Sequence, residues 1–287
     1  MSEGAAVEPT TGTTPDGTSW AAVGAGAPLV LVHGVGMNHA VWAPQMVAFG
    51  KQFRVIAPDL LGHGSSPGPS AEPRLTEFSD QLIGVLDHFD LTSATIVGHS
   101  LGALIALDLA LRWPQRVDRL VALNAVHGRT PEQARAVRER AARLPEHGVS
   151  ECLDETLARW FGPGAERGDR EAVRKVRDWL LSVDRASYAR AYQVFASADD
   201  HLAGRIGDLQ PPALFLTGEL DPHSTPAMSR RLADEAQQGE VGVLTGERHM
   251  MAWESPVATN AAIDEFLART DPSRTATASA ARPGVGH

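Results

Sequence analysis

Six short, continuously apolar runs constrain this chain more than any other feature. They cover residues 28–33, 53–57, 94–97, 120–123, 213–216 and 241–244, and each is stopped by Gly, Pro, Asn or a Thr-Gly pair. A strand with one wet face alternates polar and apolar residues. An unbroken apolar run of strand length instead calls for burial on both faces, as in a parallel sheet covered by helices. Helix-length patterns separate the runs. Residues 75–89 place Leu75, Phe78, Leu82, Val85, Leu86 and Phe89 on one face, while 101–111 is apolar almost all round. Segments 226–237 and 256–267 each begin with Pro, which suits the first helical position. The alternation predicts an α/β protein with a doubly wound, mostly parallel sheet.

One stretch breaks the alternation. Between Gly128 and Gly207 no strand pattern is present, but four helical patterns are: one from Thr130, then 151–161, 170–181 and 186–198. This reads as a helical cap, 128–207, inserted into a core made of 18–127 and 208–270. In open α/β sheets the ligand crevice lies outside the carboxyl ends of the strands, so the cap is expected to roof it. Residues 1–17 and 271–287 are rich in Gly, Thr, Ser, Ala and Pro and lack apolar periodicity. They are expected to be disordered tails.

Composition removes several function classes. The single cysteine, Cys152, forms no internal disulfide and no cysteine-based zinc cluster. A net charge of −9 makes a poor general nucleic-acid binder. No apolar stretch is long enough to span a bilayer, and the small, polar N-terminus has no basic segment resembling a signal peptide. A cytoplasmic location is expected, with a small-molecule substrate and with neither nucleic acid nor membrane as partner. Self-association into a homo-oligomer is left open.

The chemistry sits at the strand ends. Gly98-His-Ser-Leu-Gly102 matches the nucleophile elbow G-x-S-x-G, between an apolar run and a buried helix pattern. A sharp strand-to-helix turn brings backbone against backbone, so its flanking positions need glycine. Ser100 at the apex then stands at a helix N-terminus, which favours developing negative charge. Downstream, Asp221 follows the fifth run and His249 the sixth. Glu219 is the nearest alternative acid and His223 a competing base. The histidines His33, His63 and His99 are read as packing or loop-shaping groups. Asp199-Asp200 are read as a solvated pair, and Arg138, Arg140 and Arg143 as a solvated helix face.

Together these segments resemble the α/β-hydrolase fold superfamily over most of the chain. His33-Gly34 resembles its oxyanion loop, and Asp59-Leu-Leu-Gly-His-Gly-Ser-Ser66 its D-x-x-G-x-G-x-S segment. The resemblance implies a triad of Ser100 as nucleophile, His249 as base and Asp221 as acid, with the N–H groups of Leu101 and Val35 as the oxyanion hole. A serine at the apex points to acyl transfer, without metal or cofactor. Arg159-Trp160-Phe161 and the segment from Tyr188 through Tyr192 to Phe195 look similar to the cap of 3-oxoadipate enol-lactonase-like esterases. That likeness implies a small substrate bearing a carboxylate, paired with an arginine such as Arg159 or Arg190. Expected substrate contacts are His39, Arg159, Trp160, Tyr192 and Met250. The loop from Gly34 to Trp42 departs from the lactonase pattern and is similar to that of C–C bond hydrolases. The expected activity is hydrolysis of a small carboxylic ester or enol-lactone. A C–C bond hydrolase of a diketone from aromatic degradation and a non-catalytic ligand-binding member of the fold are the alternatives.

Overall fold

In the computed structural model, which describes residues 8–168 and 170–271, a single sheet of eight strands carries the chain. The strands are β1 (Thr10–Thr13), β2 (Ser19–Val23), β3 (Ala27–Val32), β4 (Phe53–Pro58), β5 (Ala94–His99), β6 (Val117–Leu123), β7 (Ala213–Gly218) and β8 (Gly239–Leu244). Their order is β1-β2-β4-β3-β5-β6-β7-β8. β1 and β2 run antiparallel, as do β2 and β4, and the remaining pairs are parallel. The six apolar runs are the six strands joined by parallel pairing. The core helices are α1 (Ala43–Phe49), α2 (Leu75–His88) and α3 (Leu101–Arg112). Four helices follow between β6 and β7: α4 (Pro131–His147), α5 (Leu153–Phe161), α6 (Glu171–Ser182) and α7 (Arg185–Leu202). The chain then adds α8 (Pro226–Glu235), α9 (Met251–Glu254) and α10 (Pro256–Arg269). Among the described residues no helix is long and apolar enough to cross a membrane.

The N-terminal tail expected over 1–17 is corrected in part. Residues 10–13 form β1, with Thr10 opposite Ala22 and Thr13 opposite Ser19. Backbone pairing needs no apolar side chain, and Gly12 lets β1 lie flat on Trp20, where a Cβ would come within 2.5 Å of the indole. Thr14 and Thr18 close the turn to β2 through reciprocal backbone and hydroxyl bonds. Residues 1–7 lie outside the described residues, as does the expected C-terminal tail except for Asp271.

Two features of the core position the site. Parallel register pairs Val32 with Gly98 and His99 with Leu123, so the loops after β3, β5 and β6 leave the sheet at one level. α3, buried along its length from Leu101 to Ala110, packs on β5 and β6. The approach is close enough that a Cβ on Gly102 would stand 2.2 Å from the Val32 carbonyl oxygen and 2.5 Å from that of His33. Gly102→Ala is therefore expected to cost more than about 3 kcal/mol, because rigid backbone cannot yield as side chains do. Thermal unfolding checks this; a melting temperature within about 2 °C of the parent would contradict it.

Thr130 starts α4 with a capping box, exchanging bonds with Gln133. α7 packs on α4 and also on α3, tying the inserted helices to the core. Beneath it lies Asp108 of α3, with no exposed surface, which accepts from Ser79 Oγ at 2.5 Å and from His201 Nε2 of α7 at 2.8 Å. Arg112 and Arg205 complete its surroundings at 3.6 and 3.5 Å.

Candidate active site

The loops after β3, β5, β7 and β8 meet under the inserted helices. Ser100 caps α3 with φ 55° and ψ −116°, a backbone conformation that side-chain-bearing residues rarely adopt. It is held there by its own N–H donating to Leu123 O (2.9 Å) and by Ala103 N donating to its carbonyl (3.0 Å). A Cβ on Gly98 would collide with the Gly102 carbonyl at 2.3 Å, so the elbow closes only with glycine at both places. Strain of this kind exposes the serine side chain at the apex of the turn.

His249 Nδ1 donates to Asp221 Oδ2 at 2.7 Å, which leaves Nε2 as its free ring position for proton transfer. Asp221 is nearly inaccessible. Its Oδ2 also accepts from Asn124 Nδ2 (2.8 Å), while Oδ1 accepts from the backbone N–H groups of His223 (2.9 Å) and Ser224 (3.1 Å). Burial alone would raise its pKa. The charge and hydrogen bond of His249, with the two backbone donors, outweigh burial and hold the carboxyl well below the usual range. Asn124, at φ 50°, is a positioning group that its place after an apolar run did not reveal. Glu219, the alternative acid, is exposed and accepts from Gly246 N instead.

The loop after β3 lies against Ser100: a Cβ on Gly34 would be 3.2 Å from Ser100 Cβ. The Gly34 carbonyl is bonded to His33 Nδ1 (2.8 Å) and to Met37 N (3.2 Å). In a planar trans peptide the N–H points opposite to the C=O, so the Val35 N–H is fixed facing away from those partners. The next amide, Gly36 N, is taken by His63 Nε2 at 2.9 Å. Leu101, first residue of α3, has no intrahelical acceptor for its N–H. His33 Nε2 accepts from Leu60 N (2.9 Å), and His99 Nε2 donates to the His249 carbonyl (2.8 Å). These three histidines thus shape the loops as expected.

Burial is the main cause that lowers the pKa of His63 and of His99 to about 3, with a neighbouring histidine's charge adding to it. Unfolded, both rings take a proton near pH 6.5. Between those values the unfolded chain binds more protons, so folding stability falls as pH drops from 6.5 towards 3. Each ring contributes roughly 1.4 kcal/mol per pH unit. Urea unfolding across this range is expected to show that decline, with a shallower slope for His63→Asn; equal slopes would contradict the assignment.

Ser100 and His249 open onto a cavity of about 770 Å³. Val35, Arg159, Trp160 and Tyr192, all singled out from the sequence, line it, and Trp160 stacks on the His249 ring at 5.5 Å. His39 and Met250 do not line it, which corrects their expected substrate contacts. His39 is drawn away by buried Asp59, whose Oδ1 accepts from its backbone N (2.7 Å) and Nδ1 (3.0 Å). Met250 is buried in the core, and its carbonyl caps α9. Arg190 reaches Pro69 O instead. Asp199 is not a solvated side chain: its two oxygens accept from Gly128 N and Arg129 N, both at 2.8 Å.

The wall holds more than the sequence reading found. Arg129, Arg140 and Arg143 join Arg159, against Glu139 and Glu155, and His223 also faces the cavity. Arg140, read as part of a solvated face, is only 8% exposed and pairs with Glu155 at 3.2 Å. A chain of net charge −9 therefore carries a locally cationic cavity beside a serine and an oriented imidazole. The arrangement is chemically suited to acyl transfer on an anionic substrate.

Known proteins share this fold and sequence. A family described as alpha/beta hydrolase fold matches residues 27–256. The (E)-2-((N-methylformamido)methylene)succinate hydrolase of Acinetobacter baylyi is 36% identical over 86% of this chain and 92% of its own length. The 3-oxoadipate enol-lactonase 2 of the same organism is 28% identical over 84% of this chain and 88% of its own. The crystal structure of the enol-lactonase from Burkholderia xenovorans superposes with a TM-score of 0.81 at 26% identity, covering 90% of this chain and 100% of that one.

Proposed function

The chain belongs to the alpha/beta hydrolase fold family and is a hydrolase, and on that premise we propose that it cleaves a small carboxylic ester or enol-lactone bearing a carboxylate, through Ser100, His249 and Asp221. The observation that carries this reading is the meeting of Ser100 and the His249–Asp221 pair in one arginine-walled cavity.

On this reading the steps are those of a serine triad. His249 Nε2 takes the Ser100 proton as Oγ attacks the acyl carbon, and Asp221 stabilises the imidazolium through Nδ1. The tetrahedral oxyanion accepts from the N–H groups of Leu101 and Val35, where losing one such donor typically costs about 10²–10³ in turnover. Collapse breaks the acyl–oxygen bond, and His249 returns its proton to the departing oxygen. Water, deprotonated by His249, then attacks the acyl-enzyme and regenerates Ser100. The cationic wall supports an anionic substrate, and the relatives named for succinate and 3-oxoadipate act on carboxylates.

One observation favours a second reading. The 36% identical relative is named for an N-methylformamido group, so the bond cut could join acyl carbon to nitrogen rather than oxygen. A panel of short esters, lactones, N-acyl enamines and vinylogous diketones, each with and without a free carboxylate, separates the cases by product analysis. Fastest turnover of a carboxylate-bearing ester or lactone is expected. Preference for the enamines would select the second reading, and cleavage of diketones alone would overturn both. Native protein that fails to react with a fluorophosphonate probe would remove the serine mechanism.

A further inference from the structure

We propose that Trp160 stabilises the imidazolium of His249 by cation–π stacking, so that the inserted helices supply part of the chemistry of the base. This rests on the serine mechanism of the proposed function and adds a group to it. The indole of Trp160, on α5, stacks on the His249 ring, with centroids 5.5 Å apart and planes 27° from parallel. Both residues line the cavity, and His249 is only 5% exposed. The face of an indole is negative and attracts a cation set over it within about 6 Å, most strongly where water is excluded. His249 becomes such a cation as it takes the Ser100 proton, so the attraction grows along the reaction and favours its transition state.

The surroundings leave that charge with few favourable neighbours. Asp221 holds it at Nδ1. The ring of His99 stands 4.9 Å away, and His223 is within reach of its field. Burial, helped by the charge of His249, keeps both below the usual histidine value, so at pH 7 neither adds positive charge. Arg129, Arg140, Arg143 and Arg159 line the same cavity and do add it. Arg248, next in the chain, donates to Leu220 O. The indole face is thus the second favourable neighbour after Asp221.

Its placement is fixed from both sides of His249 in the chain. Gly162, two residues beyond Trp160 and at φ 99°, lies against Arg248, where a Cβ would stand 3.0 Å from Nε. Arg170 donates to Phe161 O at 3.2 Å and also to Glu254 of α9. The end of α5 is thereby stapled to residues 248 and 254. The indole is in position before any charge appears, as preorganised stabilisation requires.

Site-specific fluorotryptophan at position 160 of the full-length protein tests this. A fluorophosphonate is the probe, because phosphonylation of Ser100 needs the same proton transfer to His249. Ring fluorines withdraw charge from the indole face and change its size little. From none to four fluorines the maximal inactivation rate is expected to fall stepwise, by about 5- to 30-fold in all. The probe concentration for half-maximal rate should move by less than about threefold, since ground-state binding is untouched. The acid limb of the rate profile should move to lower pH with each fluorine, because a less stabilised imidazolium gives up its proton at lower pH. Trp160→Phe should fall within the series and Trp160→Leu at its low end, with thermal unfolding showing both variants folded. A reactive parent with a flat fluorine series overturns the role of Trp160 alone. So does a series in which the half-maximal concentration moves and the maximal rate does not. A parent that fails to react with the probe overturns the serine mechanism and this inference with it.

Discussion

Ser100→Ala is expected to lower turnover of the best panel substrate by about 10⁴- to 10⁶-fold, the loss seen when a serine triad loses its nucleophile. The chemical reason is direct: without Oγ no acyl-enzyme forms, and only oxyanion donors and binding remain. The variant should stay folded. Alanine carries the same Cβ and no more, and the backbone bonds that hold the elbow, Ser100 N to Leu123 O and Ala103 N to Ser100 O, do not involve the hydroxyl. Substrate binding should also survive, because the arginine wall is untouched. Single-turnover kinetics with matched titration of a substrate analogue checks this. A fall of less than tenfold would place the nucleophile elsewhere.

Asp221→Asn should cost about 10⁴-fold in turnover, by a different route. Each carboxylate oxygen of Asp221 accepts two hydrogen bonds, from Asn124 Nδ2 and His249 Nδ1 at Oδ2, and from His223 N and Ser224 N at Oδ1. An amide offers one acceptor oxygen and, in place of the other, an NH₂ that only donates. Turned either way, its NH₂ faces two donors. If it faces His249, the ring relieves the conflict by carrying its proton on Nε2, the position that must accept from Ser100. If it faces the loop, two buried backbone donors lose their partner. The substitution should therefore also destabilise the fold, by about 1–3 kcal/mol for each donor left unpaired. Kinetics and thermal unfolding on the same sample check both effects. Turnover within tenfold of the parent would shift the acid's role to another carboxylate, with Glu219 first to be tested.

The sequence was legible where physics is local. Continuous apolar runs report burial on both faces, so the six strands of the parallel stretch could be read directly. β1 and β2 could not: Thr10-Thr-Gly-Thr13 is mostly exposed and gains its place only by pairing with a partner that the run itself does not specify. Ser100 in its elbow and the hydrogen-bonded pair of Asp221 and His249 were legible for the same reason, each standing at a strand end. The cavity wall was not, because it depends on how α4, α5 and α7 lie over the sheet. Arg140 has the spacing of a wet helix face and is buried by its neighbours. His39 stands beside the oxyanion loop in sequence and is claimed by Asp59, whose burial nothing local signals. Arg129 follows a strand run closely enough that the strand-end rule could have flagged it.

Asp108 gives the inserted helices a consequence for engineering. The helix that begins just after Ser100 carries, two turns on, a buried carboxylate whose partners include His201 of α7 and Arg205 just beyond it. Removing those two leaves Asp108 with only Ser79 and Arg112, and breaking a buried ionic group costs up to about 3–5 kcal/mol. The roof is thus not an interchangeable module. A graft from a relative would have to bring its own donor to that spot, or Asp108 would have to be neutralised in the same step. Diversification of substrate range in this scaffold is accordingly easier by point changes on the cavity wall than by exchange of whole roofs.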